Sequence, residues 1–228
     1  MGANKIQYAF DLSGAQTPLI LPFPIAYNTN VEYGEIVKLS GGFVTNATAS
    51  TPDDDDPYLG IAAESHDGSS DGQTGTTIKV YCSPGAVFRC KPNIVSTADS
   101  GNGTTWVDAE VGAVADDIYN GGILKLSEKA AASTLTDPIG KLFAITDFAT
   151  STGTFTGVFA GNVVAGDKAV ILPPVGSHGW DMNKDGTNLD FKTHGGETFI
   201  IVKVDPDTEE VYFKFRLHQL GDYVLAIA

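Results

Sequence analysis

The chain has little cysteine and little basic charge, and each scarcity excludes a class of protein. Its two cysteines, Cys82 and Cys90, do not form a CxxC pair and offer too few ligands for a metal site. Fourteen basic residues stand against 28 acidic ones, so the net charge is −14. A field of that sign repels phosphate backbones and anionic membranes. We therefore expect no direct nucleic-acid binding, no membrane docking, and two reduced, partly buried thiols.

Long apolar runs and helical periodicity are also missing. The most apolar stretch, residues 18–27, is too short to span a bilayer and contains three prolines. The first residues are not followed by the apolar segment of a secretion signal. We therefore expect the protein to be made in the cytoplasm and either to stay there or to leave it without secretion.

Turn-forming residues are abundant instead. Glycine alone accounts for 26 residues, and apolar residues make up 42% of the chain, which is enough for a buried core. Short alternating runs between many turns are typical of short strands. The sequence predicts an all-β fold, made of small β-barrel or β-sandwich units with an extended N-terminal arm and few short helices.

Four parts can be distinguished along the chain. They are an extended arm at 1–33, a first β unit at 34–98, a second β unit at 99–177, and C-terminal β-hairpins at 178–228. The second unit contains an echo of the first, since GILKLS at 122–127 is similar to EIVKLS at 35–40. This echo is either an internal repeat or a chance similarity between strand-rich segments, and both interpretations stay open.

Turn chemistry predicts three hairpins. The first joins 77–82 to 86–91 across a Pro-Gly turn. The second surrounds the Asp-Gly pair at 185–186, and the third joins 199–204 to 211–215. The segment 110–119 fits a short helix or a strand, and the apolar tail at 223–228 reads as a further strand.

The arm is apolar but interrupted by proline. Pro18, Pro22 and Pro24 forbid a helix and a central strand. An apolar ribbon must bury itself, either on its own domain or on a neighbouring subunit. Its large side chains are the candidate interface residues: Leu19, Ile20, Leu21, Phe23, Ile25 and Tyr27.

Motifs that would carry catalysis are incomplete. GSSDG at 68–72 matches GxSxG, but a nucleophile elbow needs a strand before it and a helix after it, and both flanks are polar loop. The histidines have no HxxxH or HExxH spacing; they are His66, His178, His194 and His218. We therefore predict that the chain is not an enzyme and has no cofactor and no metal site.

A calcium-dependent carbohydrate-binding β module remains an alternative. DMNKDG at 181–186 matches the first half of a calcium loop, but Lys192 occupies the position that requires a bidentate Glu. The aspartate run at 53–56 is most simply a solvated loop. Four aromatic residues could stack on sugars, although core packing explains them equally: Trp106, Trp180, Tyr58 and Tyr212.

Three segments of the first unit carry a family resemblance. They are GEIV at 34–37, LGIA at 59–62, and the run from IKV at 78–80 to GAVF at 85–88. This order resembles the capsid decoration (cement) proteins of tailed bacteriophages, in which a G-[DE]-x-V strand precedes a G-[IV]-A strand and a short V-x-V…G hairpin follows. The resemblance extends over residues 34–91, and residues 106–228 have no counterpart in it.

The resemblance implies a structural virion protein that binds the outside of a phage capsid and stabilises it. It implies small β-barrels, often homotrimers, with the major capsid protein as partner. Their location would be the capsid exterior, after a stay in the host cytoplasm during assembly. It also implies an arm that reaches capsid subunits, and residues 19–27 suit β-augmentation because the prolines leave some main-chain donors. A head fibre or a tail subunit is the related alternative.

Overall fold

The protein is described by a computed structural model over residues 6–14, 17–47, 58–70, 76–92, 94–111, 116–176, 178–182, 189–190, 199–215 and 218–220. The predicted all-β class is confirmed, because these residues form four antiparallel sheets in a sandwich-like arrangement. No sheet closes into a barrel within these ranges. The only helices with defined bounds in them are two 3-10 turns, at Gly68–Ser70 and Ala109–Val111.

The strands are short. In chain order they are β1 (Gln7–Asp11), β2 (Ile20–Pro24), β3 (Ile36–Ser40), β4 (Phe43–Asn46), β5 (Gly60–Ala62), β6 (Thr77–Tyr81), β7 (Ala86–Cys90), β8 (Val95–Thr97), β9 (Ser100–Gly101), β10 (Thr105–Val107), β11 (Ile123–Glu128), β12 (Leu142–Ala144), β13 (Asp147–Ala149), β14 (Thr154–Thr156), β15 (Lys168–Leu172), β16 (His178–Met182), β17 (Leu189–Asp190), β18 (Phe199–Asp205) and β19 (Glu210–Phe215).

The four sheets differ in size. A six-stranded sheet has the order β1-β7-β19-β18-β16-β17, and a five-stranded sheet has the order β2-β6-β5-β3-β4. Two four-stranded sheets have the orders β13-β14-β10-β9 and β12-β11-β15-β8. The five-stranded sheet curls, since a single parallel bridge between Ile25 and Val44 joins its two outer strands.

The arm packs on its own chain, which is the first of its two predicted interpretations. Strand β1 pairs with β7 at the edge of the six-stranded sheet, and β2 pairs with β6 at the edge of the five-stranded sheet. The described part of the arm therefore connects the edges of two sheets instead of extending away from the molecule.

The hairpin predicted from residues 77–91 is wrong. Strand β6 pairs with β2 and β5, whereas β7 pairs with β1 and β19, so the two strands lie in different sheets. The physical reason is burial. Ile78 and Val80 enter a small core inside the five-stranded sheet, while Phe88 enters the large core. Residues 82–85 are therefore a crossover between sheets, and we call them the crossover.

Neither cysteine forms a disulfide, and both are buried more completely than expected. Cys82 lies in the small core and Cys90 in the large core. Burial raises the pKa of the Cys82 thiol, partly offset by a hydrogen bond with the backbone of Leu21. Cys82 directly follows β6 and Cys90 ends β7, so the two thiols belong to different sheets.

The two later hairpins are confirmed. Strands β18 and β19 pair from Phe199–Phe215 to Asp205–Glu210, and β16 pairs with β17 through Asp181–Asp190 and Met182–Leu189. The ambiguous segment 110–119 contains the end of the 3-10 turn Ala109–Val111 and a turn from residue 116. The predicted tail strand at 223–228 lies outside the described residues.

The sheets join segments from different predicted parts. Strand β7 of the first unit pairs with β19 of the C-terminal part. The two halves of the proposed repeat share one strand pairing. Strand β3 pairs with β5, and β11 pairs with β12 in the same antiparallel way. The third element differs, since β6 stays beside β5 whereas β14 belongs to another sheet than β12. The division at 98 and the repeat stay predictions.

The large core receives side chains from all four sheets. Its aromatic centre is a cluster in which Tyr58 stacks on Phe199 and Phe215, with ring centroids 6.2 and 5.8 Å apart. Other members illustrate the contribution of each sheet: Phe88 and Phe213, Ile36 and Ile61, Leu124 and Ile171, Trp106 and Phe155. This shared core fixes the five-stranded sheet, and with it the arm, against the rest of the molecule.

A substitution at Gly60 tests the packing of the motif strands. Gly60 has φ 151°, and a Cβ there would overlap the carbonyl oxygen of Tyr81 on β6. We expect Gly60→Ala to lower the free energy of unfolding by about 3 kcal/mol or more, because backbone must move. Gly42→Ala is the matched control, since Gly42 has φ 86° but nothing within 4 Å of the added carbon.

The control should lose about 1 kcal/mol, the cost of a left-handed conformation for a residue with a side chain. Urea unfolding followed by circular dichroism measures both values. Equal losses for the two variants would show that the close approach of β5 and β6 is not what requires glycine.

Candidate interaction surface

The structure separates the six candidate interface residues into two groups. Ile25 is buried and Phe23 packs against the small core, so these two hold β2 in place. The other four are exposed, with relative accessibilities of 45% for Leu19, 37% for Ile20, 39% for Leu21 and 59% for Tyr27.

Tyr27 does not belong to the same patch as the other exposed residues. It follows the far end of β2, six residues beyond Leu21, which corresponds to about 20 Å along an extended chain. Leu19, Ile20 and Leu21 form a continuous run at the near end. There Ile20 pairs with Tyr81, the residue before the crossover.

Leu12 lies at the other end of the crossover from this run, and no pattern in the sequence singles it out. Its N–H donates to the Gly85 carbonyl at 2.9 Å, and the Cys82 N–H donates to the Leu19 carbonyl at 3.1 Å. Both leucines are therefore held at opposite ends of the crossover, and Leu12 is 54% exposed. We call Leu12, Leu19, Ile20 and Leu21 the crossover surface.

Asp11 anchors this surface to the crossover. Its carboxylate accepts hydrogen bonds from the Ser13 N–H at 2.8 Å and from the Ser83 hydroxyl. Gly85 completes the contact, because a Cβ on it would lie 2.6 Å from Asp11 Oδ1. Burial by itself raises the pKa of Asp11, but the hydrogen bonds from Ser13 and Ser83 outweigh it and leave that pKa below its ordinary value.

The main-chain groups of β2 alternate in direction, as in any antiparallel strand. At one end the Leu19 carbonyl accepts from Cys82, and at the other the Ile25 N–H donates to the Thr76 carbonyl at 3.1 Å. The odd-numbered residues therefore direct their main-chain groups towards β6. Their N–H groups are the donors that the prolines leave. They are used in hydrogen bonds within the chain and, contrary to the expectation, are not available to another sheet edge.

The even-numbered residues point away from β6. Ala26 shows this at the end of the strand, since its N–H donates to the Val44 carbonyl at 3.0 Å on the opposite side. By alternation, Pro22 and Pro24 occupy outward positions within β2, and at the Pro24 end this side already faces β4 through the Ile25–Val44 bridge. Only Ile20 retains an outward N–H between positions 20 and 24.

The described parts of the discounted motifs are not assembled into a site. Gly68 and Ser69 lie in a 3-10 turn, where the Gly68 N–H donates to Asn30 Oδ1 at 2.7 Å. Residues 53–56, 71–72, 183–188, 192 and 194 lie outside the described residues. The main chain of His66 forms an antiparallel β-bridge with Val31, and the ring of the buried His218 packs against the ring of Phe215.

Among the described residues, no three His, Cys, Asp or Glu side chains converge as metal ligands would. Nor does the described part of the chain contain a helix long and apolar enough to cross a bilayer. Trp106 and Tyr58 are buried in the large core, and Trp106 Nε1 donates to Ser96 Oγ at 2.8 Å. The Lys203 amine lies over the ring of Tyr212, 4.8 Å from the ring centroid.

Comparison with protein-family models, with curated proteins and with solved structures found no significant match. The resemblance to capsid decoration proteins therefore stays a prediction from the residues 34–91.

Substitution of Ser83 tests the anchor of the crossover surface. We expect Ser83→Ala to lower the free energy of unfolding near pH 7 by about 1 to 2 kcal/mol, because the Asp11 carboxylate loses a donor. The pKa of Asp11 is depressed in the folded state, so its contribution is present above the ordinary carboxyl pKa and is lost as pH falls through the folded value. The difference between variant and parent should therefore shrink below about pH 4.

Urea unfolding at a series of pH values measures this difference. Ser127→Ala, at an exposed serine of β11, serves as the control and should change little at any pH. A loss at Ser83 that is the same at pH 7 and pH 3 would contradict the proposed role of the carboxylate.

Proposed function

We propose that this chain is a structural virion protein that binds the outside of a phage capsid and stabilises it, without catalysing a reaction. Its partner is the major capsid protein, and it acts as a homotrimer on the capsid exterior. The observation that carries this proposal is the crossover surface. Four large apolar side chains are exposed on the two segments that are hydrogen-bonded to the crossover.

The exposure of these side chains needs a reason, because several large apolar side chains exposed in one region of a soluble surface mark a contact site. The chain is otherwise strongly polar outside, with a net charge of −14. Burying one such side chain is worth about 1.5 to 3 kcal/mol. That is modest for one copy, but a symmetric shell engages many copies of a multimer at once, so that avidity multiplies weak contacts.

The arrangement of the resemblance segments also supports this proposal. GEIV, LGIA and IKV lie on β3, β5 and β6, and these three strands are adjacent in the five-stranded sheet, whereas GAVF lies mainly on β7 in the six-stranded sheet and does not form the hairpin of the family pattern. The glycine of the G-[IV]-A segment is required where β5 approaches Tyr81 of β6. The first three segments therefore constitute one packed unit, and this part of the pattern is what supports the proposal.

Removing the whole arm is a poor test, because the arm belongs to the fold. Residues 1–33 contribute β1, β2 and the buried side chains of Ile6, Ile25 and Val31. A truncated chain would lose two sheet edges and part of both cores, so a loss of binding would not identify the contact. Substitutions of exposed residues avoid this problem.

The double variant Leu12→Ser/Leu19→Ser tests the proposed contact. We expect its affinity for phage heads assembled without this protein to fall at least tenfold, because two buried contacts of about 1.5 kcal/mol each are lost. Co-sedimentation with the heads measures the affinity. Ile139→Ser/Val158→Ser removes two other exposed apolar side chains, and this control should bind like the parent.

Parent-like binding by the first variant, or equal losses for both, would contradict the role of the crossover surface. Labelling the protein on intact particles by electron microscopy separates the related alternatives. Label spread over the head shell supports decoration, whereas label confined to a fibre or to the tail would overturn it.

A further inference from the structure

We propose that Asn102 is a site of spontaneous deamidation, whereas the fold protects Asn120 from the same reaction. Glycine follows both residues, and these are the two Asn-Gly pairs of the chain. Glycine has no Cβ to obstruct ring closure, so the sequence alone predicts equal reactivity at the two positions. The structure distinguishes them by the atoms that react and by the groups around those atoms. This reactivity is independent of any attachment to a capsid.

Deamidation begins when the main-chain nitrogen of the glycine attacks the side-chain amide carbon, Cγ, of the preceding asparagine. The N–Cγ bond forms, the Cγ–Nδ2 bond breaks, and Nδ2 leaves as ammonia with the proton that the glycine nitrogen gives up. Water then opens the resulting succinimide ring at either carbonyl and yields Asp or isoAsp. Water is the only co-reactant, and it reaches Asn102 more readily, because Asn102 is exposed and Asn120 is half-buried.

The first difference is the attacking nitrogen. The Gly121 N–H donates to the Ile145 carbonyl at 2.9 Å, which holds the nitrogen in place and withholds its proton from a base. The Gly103 N–H donates to no residue that the structure describes. A base in solution can therefore remove the Gly103 proton, and this removal makes the nitrogen nucleophilic.

The second difference is the direction of the side chain. Asn102 Oδ1 accepts from the Thr104 N–H at 2.7 Å, from the Thr104 hydroxyl at 2.9 Å and from the Thr105 N–H at 3.0 Å. These contacts fold the side chain forward over the following peptide, as in an Asx turn, and bring Cγ towards the attacking nitrogen. Asn120 donates instead from Nδ2 to Asp117 Oδ1 at 2.8 Å, so its side chain turns back to a preceding residue.

The third difference is the stabilisation of the negative charge that develops on Oδ1 during the attack. The three donors to Asn102 Oδ1 already occupy the positions from which they stabilise this oxyanion. Asn120 Oδ1 is buried and accepts no hydrogen bond within the described residues. The Asp117 carboxylate beside Asn120 would in addition repel the oxyanion. All three differences therefore favour reaction at Asn102.

The two products at position 102 differ in their effect on the fold. An aspartate side chain keeps the same three donors and makes each hydrogen bond charge-assisted. An isoaspartate lengthens the main chain by one carbon beside two paired carbonyls, since the Gly103 carbonyl accepts from the Phe159 N–H at 3.0 Å and the Asn102 carbonyl from the Val163 N–H at 3.4 Å. Phe159 and Val163 are buried in the large core, so we expect isoAsp to destabilise it.

Incubation of the full-length protein at mildly alkaline pH, followed by peptide mapping with mass spectrometry, tests the site. We expect deamidation in the native protein to be at least about tenfold faster at Asn102 than at Asn120, because a single oxyanion donor can be worth more than that. In concentrated urea the contacts are lost, and the two rates should become similar. Equal native rates, or a faster reaction at Asn120, would overturn the proposal.

The variant Thr104→Val tests the oxyanion donors, because it removes the hydroxyl and keeps the shape of the side chain. We expect it to slow deamidation at Asn102 at least about fivefold. Thr146→Val is the matched control, since its hydroxyl donates to the Thr156 carbonyl at 3.1 Å, and it should leave the rate unchanged. The rate at Asn120 monitors unfolding in both variants. A parent-like or faster rate at Asn102 in Thr104→Val, with Asn120 still protected, would contradict the role of the donors.

Urea unfolding of aged protein tests the effect on the core. We expect a fraction equal to the isoAsp content to unfold at lower urea concentration than the parent. Asn102→Asp contains the other product in pure form and should unfold at the parent's urea midpoint. An unchanged midpoint in protein rich in isoAsp would show that the main chain at position 102 is not coupled to the core.

Discussion

The two strands of the arm and the crossover determine one another. Strand β1 pairs with β7 and β2 pairs with β6, and the crossover between β6 and β7 is held by Leu12 and Leu19. If β6 and β7 paired with each other, both arm strands would lose their partners and the crossover surface would not exist. The pairing is decided by the two cores, since each of the two strands buries its apolar side chains in a different one.

Local features of the sequence predict part of this fold. The β18–β19 hairpin follows from two alternating runs around an Asp-Pro turn, and its strands have no better partners elsewhere. The same reasoning fails at residues 77–91, where the turn signal is equally good. There the choice of partner depends on strands from the arm and on β19, more than a hundred residues away in the chain. Turn chemistry carries no information about such distant pairing.

The candidate interaction surface, like the fold, is predictable only in part from the sequence. The apolar, proline-rich run identifies residues 19–21 as unusual, but their exposure depends on how β2 sits at the edge of a sheet. Leu12 stands alone between polar residues, so nothing in its neighbourhood marks it. The direction of the prolines is also invisible in the sequence, because it depends on the register of β2 against β6. Periodicity gives spacing along a strand, and the partner strand decides which side faces out.

The central position of β19 in the six-stranded sheet has a consequence for the order of events during synthesis. Strand β7 ends at residue 90 and β19 begins at residue 210. At 5 to 20 residues per second, a ribosome needs on the order of ten seconds to make the intervening chain. Until then β1 and β7 form a two-stranded ribbon, which is marginal in water and leaves Phe88 without Phe213 and Phe215. During this interval the aromatic side chain of Phe88 has to be shielded by chaperones or by collapse of the nascent chain.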